Sequence, residues 1–297
     1  MQTVPAVLDE FAIGFTVQRA WGSLVVMYLF LGGTGAGLFL LGIALGTAPG
    51  ALIGLLLVGI GGLALLADLG RPRNFWRAFT HPRTSWISRG TYFITLLLLF
   101  GVLTLFPRLL PADQVPWLAG GVLDSVIRWL ALVAAFLVMV YTGFVLSPSP
   151  AIPFWNAALL PLIFLAYSVM TGLGILLALD PVLGPLSLPL QALEAYQVAL
   201  IGACLLLVLG HLVIMRGSTT AARASTRLLI RGPLALEFVG GVVALGLILP
   251  LVITLGALLG RGATFSTFLG VAAVLKLAGD YLFRSVLLRA GLYEPLL

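Results

Sequence analysis

Few side chains in this sequence can do chemistry, and they are unevenly placed. Lys276, Asp280 and Arg284 stand at i, i+4 and i+8, a spacing that stacks three charges on one helical face. All three lie inside an apolar stretch, where ionised groups face a helix interface or a water path. Such a ladder is either a structural set of ion pairs or a route for protons. Asp68 closes one apolar run and Glu237 opens another, so both are candidate proton acceptors at the edge of a greasy segment. Asp68 is followed by Gly-Arg-Pro-Arg and can equally pair with Arg71. Tyr141 lies near the end of one run and Tyr28 about two turns into another. A phenol can donate to a carbonyl oxygen in an apolar pocket, although a tyrosine at this depth can also be a plain interfacial anchor. With only Cys204, His81 and His211, the chain lacks the roughly four thiolates of an iron–sulfur cluster. No metal or haem is expected in it.

One connection is chemically dense. Residues 69–89, LGRPRNFWRAFTHPRTSWISRG with its closing glycine, hold five arginines, two tryptophans and two prolines. A loop of positive charge at a membrane surface needs arginine but not this density of tryptophan and proline. Arginine with aromatics is the composition of a protein–protein interface. Arg71, Arg73, Trp76, Arg77, His81, Trp86 and Arg89 are therefore read as an ordered platform for a partner subunit.

The elements that must position these groups follow from composition. The chain has 297 residues, 61% hydrophobic and 9% charged, with a mean hydropathy of +1.17. Soluble domains carry about 25% charged residues, so a soluble globular enzyme is excluded, and so much apolar surface excludes a disordered chain. A spanning helix takes about 20 residues. Eight apolar runs satisfy this: 21–46, 50–68, 90–110, 118–146, 154–179, 191–215, 233–259 and 264–289. Lipid leaves unpaired backbone groups no partner, so all should be helical. The expectation is an all-α membrane protein of eight transmembrane helices in two packed bundles. Residues 1–20 form an interfacial N-terminal segment, 21–291 the transmembrane domain with loops 69–89 and 216–232 on the partner side, and 292–297 a C-terminal tail.

Of the 16 basic residues 15 are arginine. In a membrane protein this basicity speaks for topology and anionic headgroups, not for nucleic acid. Eleven arginines fall on the side that carries both termini and three on the other, which places the former in the cytoplasm. Arginines that dock a partner would inflate that count. Crowded glycines open two runs: Gly32, Gly33, Gly35 and Gly37, then Gly240 and Gly241. They suit either close approach to a flat ligand or tight helix packing.

The segments YLFLGGTGAGLFL, LGRPRNFWRAFTHPRTSWISRG, YTGFVLSPSPAIPFWNAALLPLIFL and RGPLALEFVGG resemble, in the same order, the NrfD/PsrC family. These are membrane subunits of polysulfide-, nitrite-, tetrathionate- and related reductase complexes. The resemblance implies a quinone pocket (menaquinone or ubiquinone) near the face on which an iron–sulfur, ferredoxin-like subunit docks. A molybdopterin catalytic subunit lies beyond it in many members. It also implies that Tyr141 matches a tyrosine that hydrogen-bonds the quinone. Near the start of span one the family's polysulfide reductase has Asn and His, where this protein has Ser23 and Tyr28. With Gly33, these complete the expected quinone-binding set. The expected function is a quinone/quinol-binding subunit of a respiratory oxidoreductase in the plasma (inner) membrane. The rivals are a secondary transporter, which places its charges at the bilayer midplane, and a purely structural membrane anchor.

Overall fold

The computed structural model describes residues 15–109, 121–183, 186–260 and 264–294. The first fourteen residues of the N-terminal segment, the last three of the tail and most of the Pro107–Pro116 break lie outside the described residues.

The described chain is helical, with one isolated antiparallel bridge between Val17 and Leu292. Its helices are α1 Ser23–Ala44, α2 Ala48–Asp68, a 3-10 helix Pro72–Phe79, α3 Trp86–Leu109, α4 Gly121–Phe144, α5 Leu159–Leu183, α6 Leu190–Arg216, α7 Thr220–Ile230, α8 Leu236–Leu259 and α9 Thr264–Arg289. Seven of these, α1 to α6 and α8, are long and apolar enough to cross a membrane. The protein is a multi-pass helical membrane protein. The run expected as the eighth span, α9, matches the others in length but carries Lys276, Asp280, Arg284 and Arg289.

Local sequence sets the turns. Gly46 takes φ +80°, which an L side chain resists, and so permits the sharp α1–α2 connection. Thr47 then caps α2 by accepting from the Gly50 N–H at 3.2 Å.

The glycines decide how closely the helices approach. A Cβ on Gly35 would lie 2.6 Å from the Gly54 carbonyl oxygen, and one on Gly246 would lie 2.6 Å from the Gly279 Cα. Helix α1 thus seats directly on α2, and α8 on α9. Where hydrocarbon surrounds the bundle, this contact between backbones supplies the attraction that burial of greasy side chains supplies in water. Of the seven helices long and apolar enough to cross a membrane, α1 and α5 are the most enclosed; α1 packs on α2, α4, α5 and α9, and α5 on α1, α4, α6 and α9. The first half of α8, Leu236–Ile248, is π-helical, a wider coil that is rare at this length.

The two ends of the described chain meet. Gln18 N–H donates to Gly291 O at 3.0 Å and Tyr293 N–H to Thr16 O at 3.0 Å. Trp155, from the α4–α5 connection, donates its indole N–H to Leu287 O at 2.9 Å and packs edge-on to Trp21 at 5.8 Å.

Candidate functional site

Two groups of polar side chains emerge, one near the end of the bundle that carries the 69–89 loop and one midway along it. At the first, Tyr28 of α1 and Tyr141 of α4 bond hydroxyl to hydroxyl. Both are buried, 3% and 2% exposed. They meet because Tyr28 lies near the start of α1 and Tyr141 near the end of antiparallel α4. Gly90 of α3 makes room for them: a methyl there would fall inside the Tyr141 phenol. Phe93, one turn further along α3, closes on the same ring edge-on at 6.2 Å.

The loop above this pair is ordered by its own chemistry. Arg89 Nε donates to Pro82 O at 2.8 Å, and its Nη2 donates to Arg83 O at 2.7 Å. The same guanidinium lies 4.4 Å over the Trp86 ring, which stacks on Phe144 at 4.6 Å. Tyr92 donates its hydroxyl to Phe79 O at 3.1 Å and meets the Phe79 ring edge-on. Arg89 and Trp86 therefore work inward, fastening the loop to α3 and α4. Arg71, Arg73, Trp76, Arg77 and His81 are exposed, with Trp76 at 60%. Beneath the loop is an open cavity of about 490 Å³, lined in part by Leu69, Phe75, His81, Ile87 and Ser88. Ile87 and Ser88 precede Gly90 by less than one turn. The tyrosine hydroxyls themselves face each other and do not line that cavity.

The second group sits between α1, α5 and α9. Asp280 and Arg284 form a fully buried pair, Nε to Oδ1 at 2.8 Å and Nη2 to Oδ2 at 3.2 Å. Thr34 donates to Asp280 Oδ2 at 3.4 Å and lies 3.1 Å from the Thr171 hydroxyl. The Arg284 guanidinium rests 4.5 Å over the Phe164 ring. Arg284 Nη1, Tyr167 Oη and Gln197 Oε1 are buried with no hydrogen-bond partner among the described residues. Lys276 is buried too, but it does not continue the ladder as the i+4 spacing suggests. Its Nζ instead borders the space a Gly174 side chain would fill, with Gln197 Oε1 on the same side.

The remaining expected site residues are scattered. A Cβ on Gly33 would lie 2.6 Å from Ser168 Oγ and 3.0 Å from Arg284 Nη2, so Gly33 belongs with the ion pair; Gly32 is the glycine beside Tyr28. Ser23 is exposed in the first turn of α1, and Asp68 is exposed at the end of α2. Glu237 is half-buried and paired to Arg289 of α9, a partner that reading along its own helix could not supply. Among the described residues no three His, Cys, Asp or Glu side chains gather as a metal site would require.

Gly90, Thr34, Tyr167, Ser168, Thr171 and Gln197 escaped the sequence reading. The last five carried a signal, as polar side chains inside apolar spans. Gly90 carried none that set it apart from the other glycines.

The polar end, the loop and the order of segments can be compared with known proteins. The sequence matches the family described as "Polysulphide reductase, NrfD" over residues 14–295. The protein belongs to the NrfD family. It is 31% identical to the C subunit of the polysulfide reductase of Wolinella succinogenes over an alignment of 320 residues, covering 93% of this sequence and 98% of that protein. It is also 31% identical to protein NrfD of Escherichia coli over 265 residues, 78% of this sequence and 83% of that one. Membership of this family of reductase membrane subunits accounts for a greasy, multi-pass protein.

Proposed function

We propose that this NrfD-family protein is the quinone-binding subunit of a respiratory oxidoreductase in the plasma (inner) membrane, with all eight long helices, α9 included, spanning the bilayer as two bundles. The observation that carries the reading is the buried Tyr28–Tyr141 pair, seated on Gly90 below an arginine- and tryptophan-rich platform. A quinone (menaquinone or ubiquinone) supplies a two-electron, two-proton redox centre when bound. The residues present fit it: two phenolic donors, each able to exchange its bond to the other for one to a quinone oxygen, in an aromatic setting that includes Phe93. The cavity lined by Ile87 and Ser88 offers an approach to within a turn of Gly90.

The charges on α9 do not disqualify it as a span. At about 1.5 Å per residue its 26 residues exceed a hydrocarbon core of about 30 Å. Lys276, Asp280 and Arg284 are each at most 1% exposed, so lipid meets none of them.

The partner must supply the electron acceptor or donor. Exposed Arg71, Arg73, Trp76 and Arg77 suit a docking face for an iron–sulfur, ferredoxin-like subunit, with a molybdopterin catalytic subunit beyond it. His81 stands on the same face. Asp68 and the Glu237–Arg289 pair lie at the same end and are placed to exchange protons with water. The Thr34–Thr171–Asp280–Arg284 cluster, with Lys276 and Gln197 beside it, extends polar groups to the middle of the bundle. That cluster is also the observation that favours the transporter reading, since it lies near mid-helix and not at one face. Flux through vesicles holding this protein alone would support that alternative.

The deciding experiment is Tyr141→Phe in the assembled complex. Quinol-driven electron transfer should fall at least tenfold while artificial-donor activity of the catalytic subunit is retained. Unchanged quinol activity would refute the assignment.

A further inference from the structure

Four arginines line a second cavity that the quinone reading leaves unused. Arg216 ends α6, Arg223 and Arg227 lie on α7, and Arg231 follows it. With Thr226 and Ile230 they enclose about 440 Å³.

Sequence spacing builds this cavity. Residues 223, 227 and 231 recur every fourth position, so three guanidiniums share the exposed face of α7 while Ala221, Ala224, Ser225, Leu228 and Leu229 are buried behind them. Helix α7 is held firmly at its start. Thr219 caps it through the Ala222 N–H, and Glu294 accepts from Thr219 at 2.7 Å, Thr220 at 2.8 Å and the Ala221 N–H at 3.1 Å. Arg223 Nε donates to Arg216 O at 3.3 Å, which ties α7 to the end of α6. Arg216, Arg223 and Arg231 present guanidinium forks to one cavity, and such forks suit phosphate oxygens.

The surroundings indicate which anion. Val213 and Ile214, less than one turn before Arg216, are 72% and 52% exposed, and Ile230 in the cavity wall is 40% exposed. A ligand that satisfies both features carries phosphate at one end and hydrocarbon at the other. Inorganic phosphate would satisfy only the arginines. An acidic protein segment would leave the apolar surface of α6 uncovered. We propose that this cavity binds the phosphate group of an anionic phospholipid whose acyl tails lie along the outer face of α6. Basic pockets at helix ends recognise such headgroups.

The test uses the purified full-length protein in phosphatidylcholine nanodiscs, with phosphatidylglycerol titrated in, and with inorganic phosphate as a separate arm. Lipid retention is read by native mass spectrometry and protection by thermal unfolding. Phosphatidylglycerol should be retained selectively. Arg223→Gln and Arg231→Gln should each lower that selectivity about fivefold, the equivalent of ~1 kcal/mol per basic residue. The charge-preserving Arg223→Lys/Arg231→Lys pair should keep most of it, and Arg19→Gln, the same charge loss at the same end, should keep all of it. Equal selectivity in parent and Gln variants overturns the proposal. So does full protection by inorganic phosphate alone, which would make the site one for the free ion. Loss of a co-purifying protein with lipid retention unchanged also overturns it, in favour of a docking face.

Discussion

Asp280→Asn is the substitution whose outcome says most about the middle of the bundle. It removes the charge that Arg284 faces, while both side chains are 0% exposed and bonded at 2.8 and 3.2 Å. Breaking a buried pair from one side typically costs about 3–5 kcal/mol, because the remaining charge has neither water nor partner. The Phe164 ring 4.5 Å away attracts the guanidinium, by about 2 kcal/mol where water is excluded. That contact exists already and cannot replace the carboxylate. We therefore expect a loss of about 3 kcal/mol, read as a fall of several degrees in the unfolding temperature of the purified complex. The double substitution Asp280→Leu/Arg284→Met removes both charges together. It should restore stability to within ~1 kcal/mol of the parent or exceed it. The Thr34–Thr171 contact at 3.1 Å remains available in either case. Function separates the two roles of the cluster. If the stable double variant supports full quinol-driven turnover with unchanged proton uptake, the pair is structural; if proton uptake falls tenfold while the fold survives, it is a route. Parent-like unfolding of Asp280→Asn alone would refute the reasoning, since Arg284 would then not depend on Asp280 for its burial within α9.

Gly90→Ala should destabilise the protein by about 1–3 kcal/mol, the usual effect of overpacking, and should disturb quinol activity more than Gly59→Ala, a position with open space around it. Thermal unfolding and turnover measured side by side check both parts. Tyr28→Phe should cost about 1–3 kcal/mol by leaving the Tyr141 hydroxyl buried without a partner, whereas the double Phe variant should be nearly neutral; unfolding temperatures of the three variants test the difference. Acid should loosen the α7–C-terminus contact. Partial burial of Glu294 works to raise its pKa, but hydrogen bonds from Thr219, Thr220 and Ala221 outweigh it and hold the group below its ordinary range. The stabilisation is thus complete above the unfolded value of about 4.3 and is lost as pH falls through the lower folded value. Protection of the Ala221 amide against hydrogen exchange, taken relative to its intrinsic rate, should fall as the pH drops through that range, and Glu294→Gln should flatten that dependence.

Much of the architecture was legible from hydropathy. Every long helix lies on a run that the apolar pattern marked out, because in lipid the backbone has no alternative to helix. The Asp280–Arg284 contact was legible as well, since i, i+4 spacing is fixed by helical geometry. The same rule failed for Lys276. Its side chain is long enough to turn toward α5, where Gly174 leaves space, and spacing along one helix does not report a gap in another. The partner of Glu237 was not legible for a related reason: Arg289 lies 52 residues away.

The sequence by itself determined that this protein crosses a membrane and where its long helices lie, since each of these is a property of a single segment and its solvent; the short helices Pro72–Phe79 and α7 fall in segments expected as loops. Only the tertiary structure decided which segments face each other. The Tyr28–Tyr141 bond joins residues 113 positions apart and depends on the bare Cα of Gly90. Contact between helices is set by the absence of side chains at such points as much as by their presence, and an absence on one helix acquires meaning only when another is packed against it.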